Sequence, residues 1–384
     1  MIKTVSTRAP FAVGLAAGLA ACAATIAASP AAGYYDQTNL VSDVPGLAAR
    51  LDPNLKNPWG MSSSPTSPIW VSDNGTGVST LYNGAGVPQA LVVTIPPPAG
   101  GTPPSTPTGQ VFNGSITSFL LGGPGSTAAR FIFAAEDGTI SGWNAGTNAI
   151  LKVDQSASGS VFKGLAIGNN GSGDFLYAAD FGQGKIDVFD STFGAAALTG
   201  NFTDPSLPAG FAPFNVQNLG GSLYVTYAKV DPMNPDDDES GPGNGFVDVF
   251  DLNGVLQRRL ISNGPLDSPW GLALAPANFG EFSNDLLVGN FGDGLINAFD
   301  PLSGAFLGSL GDHTGKAISI DGLWGLKFGT GTANGGGANV LYFTAGLNDE
   351  ANGLFGTLTV PEPASAALLG VGLAALLLGR RRTH

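Results

Sequence analysis

Phe175-Leu176-Tyr177-Ala178-Ala179-Asp180-Phe181-Gly182-Gln183-Gly184-Lys185-Ile186-Asp187-Val188-Phe189-Asp190 reads as two strands joined by a tight turn. An apolar run comes first, glycines mark the turn, and the alternating run Ile186-Asp187-Val188-Phe189 follows. Period-two alternation between Gly and Asp turns specifies strands and hairpins. The same plan stands at Val71-Ser72-Asp73-Asn74-Gly75-Thr76-Gly77, which continues without a gap to Tyr82-Asn83. Its aromatic-polar ending recurs at Trp143-Asn144, Phe250-Asp251 and Phe299-Asp300. From 82 to 299 is four steps of about 54 residues, so the chain is a repeat.

A second series marks where each unit begins. It reads Pro58-Trp59-Gly60, Phe162-Lys163-Gly164, Pro213-Phe214-Asn215, Pro269-Trp270-Gly271 and Leu323-Trp324-Gly325, with a weaker start expected near Gly109 to Phe112. Six units of about 53 residues fill the body of the chain. Many short strands at this period specify an all-β fold, a six-bladed β-propeller of four-stranded blades. Glycines at the unit starts let inner strands crowd round a central channel. The last unit holds three strands, and Thr38-Asn39-Leu40-Val41 is expected to supply the fourth and close the ring. A two-sheet sandwich or a β-helix is the alternative, and a sandwich offers no reason for six similar units.

Composition agrees. Among 384 residues there are 58 Gly and 27 Pro, which long helices do not tolerate. Charged residues are 12%, about half the usual share, and the hydrophobic content of 43% supplies a large core. These values exclude a helical bundle and a disordered chain.

The two ends read as helical targeting segments. Residues 1–32 form a signal peptide: Lys3 and Arg8 precede the apolar run Phe11 to Ala21, with cleavage expected between Ala28 and Gly33. Leu19-Ala20-Ala21-Cys22 also fits a lipobox, so lipidation at Cys22 stands beside simple cleavage. The latter leaves a mature chain without cysteine. Residues 360–384 carry Pro361-Glu362-Pro363, an apolar run from Ala364 to Gly379, and Arg380-Arg381-Arg382. Sixteen helical residues reach about 24 Å, short for a hydrocarbon core of about 30 Å, and the arginines favour the cytoplasmic side.

This C-terminal pattern resembles the PEP-CTERM sorting signal of Gram-negative bacteria. The resemblance implies export, transient membrane insertion by a C-terminal transmembrane helix, and processing by an exosortase near Pro-Glu-Pro. A short permanent anchor is the other reading of the same run. Between the ends, residues 33–359 form the propeller domain. Asn57-Pro58-Trp59-Gly60, Glu136-Asp137-Gly138-Thr139-Ile140, Gly241-Pro242-Gly243-Asn244-Gly245-Phe246-Val247-Asp248, Asp321-Gly322-Leu323-Trp324-Gly325 and Gly353-Leu354-Phe355-Gly356 resemble a family of uncharacterised PEP-CTERM-associated bacterial propellers. That likeness implies architecture and address, and no mechanism.

The body carries 11 basic against 28 acidic residues, a net charge near −17. Such a surface repels nucleic acid and anionic lipid and is compatible with cations and neutral glycans. Histidine is confined to His313, in a polar loop without a nucleophile motif, and His384 in the tail. A His or Cys/His metal site has no ligands here. Oxygen ligands are clustered at Asp231, Asp236, Asp237, Asp238 and Glu239, in an insertion of the fourth unit. That cluster reads either as a Ca²⁺ site or as a solvated acidic loop. Asp73, Asp180 and Asp137 follow strands at similar turns and are expected to brace them. Trp59, Phe214, Trp270 and Trp324 hold equivalent unit-start positions, interrupted by Lys163. They read either as a channel mouth that stacks on sugar rings or as packing between blades.

The function expected is an exported surface or matrix propeller that binds a glycan or a protein partner without catalysis. The competing classes are a Ca²⁺-dependent lactonase-like hydrolase, recruiting Glu136, Asp180, Asn290 and Glu350, and a purely structural matrix protein.

Overall fold

The computed structural model describes residues 33–123 and 125–361. The signal segment with Cys22, and the sorting segment from Glu362 onward, lie outside the described residues. The helices expected at both ends therefore lie outside them too. Within the described residues no helix is long and apolar enough to cross a membrane.

Six sheets form a closed ring. The first blade is β3 (Pro58–Ser62), β4 (Ile69–Asp73), β5 (Val78–Tyr82) and β6 (Val93–Thr94). The second is β7 (Pro107–Phe112), β8 (Phe131–Ala135), β9 (Thr139–Trp143) and β10 (Ile150–Asp154). The third has β11 (Phe162–Asn169), β12 (Asp174–Asp180) and β13 (Lys185–Phe189). The fourth is β14 (Phe211–Leu219), β15 (Ser222–Lys229), β16 (Gly245–Phe250) and β17 (Leu256–Ser262). The fifth is β18 (Pro269–Leu274), β19 (Leu286–Asn290), β20 (Ile296–Phe299) and β21 (Phe306–Ser309). The sixth joins β22 (Leu323–Phe328), β23 (Leu341–Leu347) and β24 (Asn352–Thr359) to β1 (Asp36–Ser42) and β2 (Arg50–Leu51).

Closure follows the expected route. β1 pairs antiparallel with β24 over Asp36–Thr359 to Ser42–Leu354, and Val41 is fully buried beside Phe355. The pairing ties the start of the propeller to its end and removes the edge that an open ring would expose. The weak second unit is genuine, with β7 beginning at Pro107. The third blade departs from the four-stranded plan. After Phe189 the chain makes a single bridge, Phe189 to Ala195, and the Ala196 amide donates to the Val188 carbonyl oxygen. Gly200, Pro205, Pro208 and Gly210 then break any outer ladder.

Neighbouring blades cover each other with apolar faces. Ile132, Ala134 and Ile140 of blade two meet Phe162, Leu165 and Leu176 of blade three in one cluster. Both faces of the inner strands are consumed in this way, so function is left to the loops and to the axis.

Candidate functional site

Each inner strand is interrupted next to its start. The register slips between Pro58 and Met61, Pro107 and Gln110, Phe162 and Gly164, Pro213 and Asn215, Pro269 and Gly271, and Leu323 and Leu326. A bulge bends a strand and re-aims its side chains. Here it brings Trp59, Lys163, Phe214, Trp270 and Trp324 together at the axis. The next residue is Gly in five blades, because it touches the neighbouring inner strand. A Cβ on Gly325 would lie 2.6 Å from the Trp59 carbonyl oxygen, and one on Gly271 2.7 Å from that of Trp324. Blade four has Asn215 instead, whose Nδ2 donates to the Trp270 carbonyl oxygen at 2.7 Å.

The aromatic residues close the channel rather than open it. Trp59, Phe214, Trp270 and Trp324 are all buried, between 0% and 4% exposed. The indoles of Trp59 and Trp324 stack at 3.5 Å between centroids, and Phe291 covers the other face of Trp324 at 4.1 Å. Trp270 meets both tryptophans edge-on at 5.9 Å. Two indole N–H groups are anchored: Trp270 Nε1 donates to the Lys163 carbonyl oxygen at 2.9 Å and Trp324 Nε1 to Asn57 Oδ1 at 3.0 Å. These rings form a hydrophobic plug whose faces are occupied by one another. The mouth expected at this end is absent because the bulges of four blades point at a common centre.

Lys163 crosses the plug. Its Nζ lies 5.3–5.7 Å from the ring centres of Trp59, Phe181 and Phe214, and pairs with Glu136 at 2.9 Å and Asp237 at 3.4 Å. Burial alone would favour the neutral amine. The neighbouring Glu136 and Asp237 outweigh it and hold the lysine above its ordinary range. Glu136 also accepts from Asn74 Nδ2 at 2.8 Å. Burial pushes Glu350 up to about 7, reinforced by the like charge of Glu136. Burial likewise pushes Asp238 up to about 6. Glu350 follows Asn348 and Asp349 in a turn where all three have φ between 50° and 64°, a conformation that costs non-glycine residues free energy.

The acidic insertion serves the plug. Asp237 pairs with Lys163, Glu239 pairs with Lys229 at 2.9 Å, Asp231 accepts from the Met233 amide at 2.8 Å, and Asp236 is exposed. Among the described residues no group of three or more His, Cys, Asp or Glu side chains is arranged to hold a metal ion. Of the five residues expected to hold Ca²⁺, two, Asp237 and Glu239, are ion-paired with lysines.

The acids expected to brace turns are occupied by their surroundings. Asp73 accepts from the Thr80 amide at 3.0 Å, Asp180 from the amides of Val161 and Gln183, and Asp137 from the hydroxyls of Ser105 and Thr139. Asn290 donates to the Pro265 carbonyl oxygen at 2.8 Å. His313 is exposed, edge-on to Tyr34.

Below the plug lies a cavity of about 480 Å³, within the roughly 300–1,000 Å³ of small-molecule sites. Met61, Gln110, Leu165, Val216, Leu272 and Leu326, one from each blade, ring it. Trp270 lines its inner end. Ser63, Asn218 and Lys327, where the inner strands finish, are partly exposed and form its opening. The channel is therefore blind, open on the face where β1 begins and β24 ends. Gln110 is 6% exposed; its Nε2 donates to the Gly60 carbonyl oxygen at 2.8 Å, while its buried Oε1 has no partner. Neither Gln110 nor Lys327 was singled out from the sequence. The signal was present in the repeat: five units place Met, Leu or Val where the second places Gln110.

A PEP-CTERM protein-sorting motif matches residues 359–382, starting at the last residue of β24. It implies export, sorting to the cell envelope and processing by an exosortase. Two uncharacterised proteins of Acanthamoeba polyphaga mimivirus are 34% and 35% identical to this chain over 328 residues, covering 83% of it and 78% and 84% of themselves. The chain belongs to their family. Membership extends through the propeller and brings no assigned activity. Among solved structures, a streptogramin B lyase (TM-score 0.50, 11% identity) and a glucose dehydrogenase (0.51, 12%) each cover 85% of this chain, which spans 98% and 100% of theirs. A protein of unknown function from Bacteroides thetaiotaomicron aligns with TM-score 0.52 and 10% identity, over 85% of this chain and 72% of its own. These likenesses establish the propeller fold alone.

Proposed function

We propose that the chain is an exosortase-sorted envelope protein that binds a polyhydroxylated ligand, a glycan, in its blind axial channel, without catalysis. The C-terminal segment inserts transiently in the membrane, with Arg380 to Arg382 on the cytoplasmic side, until processing releases it. Binding takes place at the end of the channel opposite the aromatic plug.

The observation that carries this reading is the Gln110 amide in the channel wall, at the ring position where the other five blades place Met, Leu or Val. A sugar hydroxyl is a donor of the right kind to satisfy it, and hydrogen-bonded amides with apolar neighbours are the usual wall of such a site. Asn215 and Asn218 are already committed to the backbone, at Trp270 and Ile167, and hold the wall rigid. Trp270 at the inner end provides a signal. Titrating mono- and oligosaccharides into the full chain in detergent should change tryptophan fluorescence saturably. Gln110→Leu should weaken binding about tenfold, the cost of one hydrogen bond to a buried neutral group. A panel of neutral and acidic sugars with no saturable response would reject the reading.

A further inference from the structure

We infer that the channel selects an acidic sugar, a hexuronate, whose carboxylate sits against the Lys327 ammonium at the channel mouth while its hydroxyls reach Gln110. This inference rests on the channel reading above and specifies its ligand.

Charge at the channel opposes the charge of the whole. The body has 28 acids against 11 bases, yet the only charged side chain in the channel wall among the described residues is Lys327. Four other cations of the described residues are ion-paired, Lys163 with Glu136, Lys185 with Asp187, Lys229 with Glu239, and Arg259 with Asp204 and Asp248; none of the other unpaired ones lines the channel. Lys327 has no carboxylate within ion-pair distance among the described residues. Its Nζ donates only to the neighbouring Phe328 carbonyl oxygen, at 3.3 Å. Burial lowers its affinity for the proton, and no nearby acid restores it. A half-buried ammonium without a counter-ion is unfavourable, and an anion in the channel relieves that cost.

The anion's class follows from the rest of the wall. One lysine is a point charge matched to a monoanion. A phosphate is better served by several donors or by arginine, and the wall contains no arginine. The Gln110 amide near the plug and Ser63 near the mouth are polar groups of the wall suited to hydroxyls at the two ends of the ligand. A ring carrying one carboxylate and several hydroxyls satisfies all three groups.

The test follows tryptophan fluorescence of the full chain in detergent against D-glucuronate, D-glucose, a glucuronate oligosaccharide and a neutral gluco-oligosaccharide. Wild type should prefer the acidic member of each pair by tenfold or more, and added NaCl should erode the preference. Lys327→Met should reduce the preference to twofold or less by weakening acidic binding more than neutral binding, whereas Lys327→Arg should keep it. An equal response to acidic and neutral sugars, or a preference that survives Lys327→Met, overturns the inference and leaves the channel reading standing. If no sugar binds, both fall. Tighter binding of the glucuronate oligosaccharide than of glucuronate supports the end of a polymer as the source, and equal binding supports a free sugar acid. Should Lys327→Met fail to fold, the wild-type preference and its salt dependence still decide the matter.

Discussion

The indole of Trp59 lies flat against that of Trp324, with ring centroids 3.5 Å apart, although 265 residues separate them in the chain. The pair joins the first blade to the last at the axis, while β1 pairs with β24 to complete the last blade with the segment that leads into the first. Burial of the indole pair makes the plug part of the hydrophobic core. Trp324→Ala should destabilise the protein by about 3–5 kcal/mol, the range for deleting a large buried aromatic. A double-mutant cycle with Trp59→Ala should show a coupling of about 0.5–1.5 kcal/mol in denaturant unfolding. Strict additivity would mean that the stacking contributes nothing beyond burial.

Gly325 sets how closely blade six approaches blade one. Its missing side chain leaves room for the Trp59 carbonyl oxygen, which a Cβ would approach to 2.6 Å. Gly325→Ala should cost about 1–3 kcal/mol through overpacking. Gly123→Ala, with nothing within 4 Å of the added Cβ, serves as the control and should stay within about 0.5 kcal/mol. Equal midpoints in urea for the two variants would remove the close approach from the account of closure.

Glu350 gives stability a definite pH dependence. In the folded protein it is pushed up to about 7 from the ordinary 4.5, first by burial and then by Glu136. The folded state keeps the proton over a range in which the unfolded chain has lost it. The stabilisation is complete below about pH 4.5 and is lost as pH rises through about 7. Glu350→Gln keeps a neutral side chain, so its Tm relative to wild type should climb between about pH 4.5 and 7 and level off above. A difference that is flat or falls over that window contradicts the assignment.

Arg259 holds two buried acids in the fourth blade. It pairs with Asp204 and approaches Asp248 at 3.4 Å, and both carboxylates are nearly or fully buried. Burial, followed by the charge of Asp204, pushes Asp248 up to about 7. Arg259→Leu leaves both acids without a counter-charge and should cost about 3–5 kcal/mol at neutral pH. Part of that loss should be recovered near about pH 5, where the orphaned acids protonate. Calorimetric scans at the two pH values separate this from a loss of side-chain packing, which would be the same at both.

Much of the architecture is legible in one dimension because a propeller is a local motif repeated. The strand pair from Phe175 to Asp190, the Gly60 and Gly325 positions, and the spare segment Thr38 to Val41 each state their role through spacing and alternation. The absent outer strand of blade three has its signal in Gly200, Pro205 and Pro208, breakers that a regular period of about 53 residues masks. The sorting segment is legible because it is read as a linear address.

The site depends on convergence, which no local pattern contains. Whether Trp59, Trp270 and Trp324 face water or one another depends on six bulges aiming at the same axis, and their buried surfaces are supplied from hundreds of residues away. Lys163 looks like a fault in an aromatic series until Glu136 of blade two and Asp237 of blade four are seen to meet its ammonium. Asp237 and Glu239 look like a cation site until lysines take up their charge. The opening of the channel at Lys327 is invisible for the same reason: burial and electrostatic pairing are properties of neighbours in space, and only the closed ring creates those neighbours.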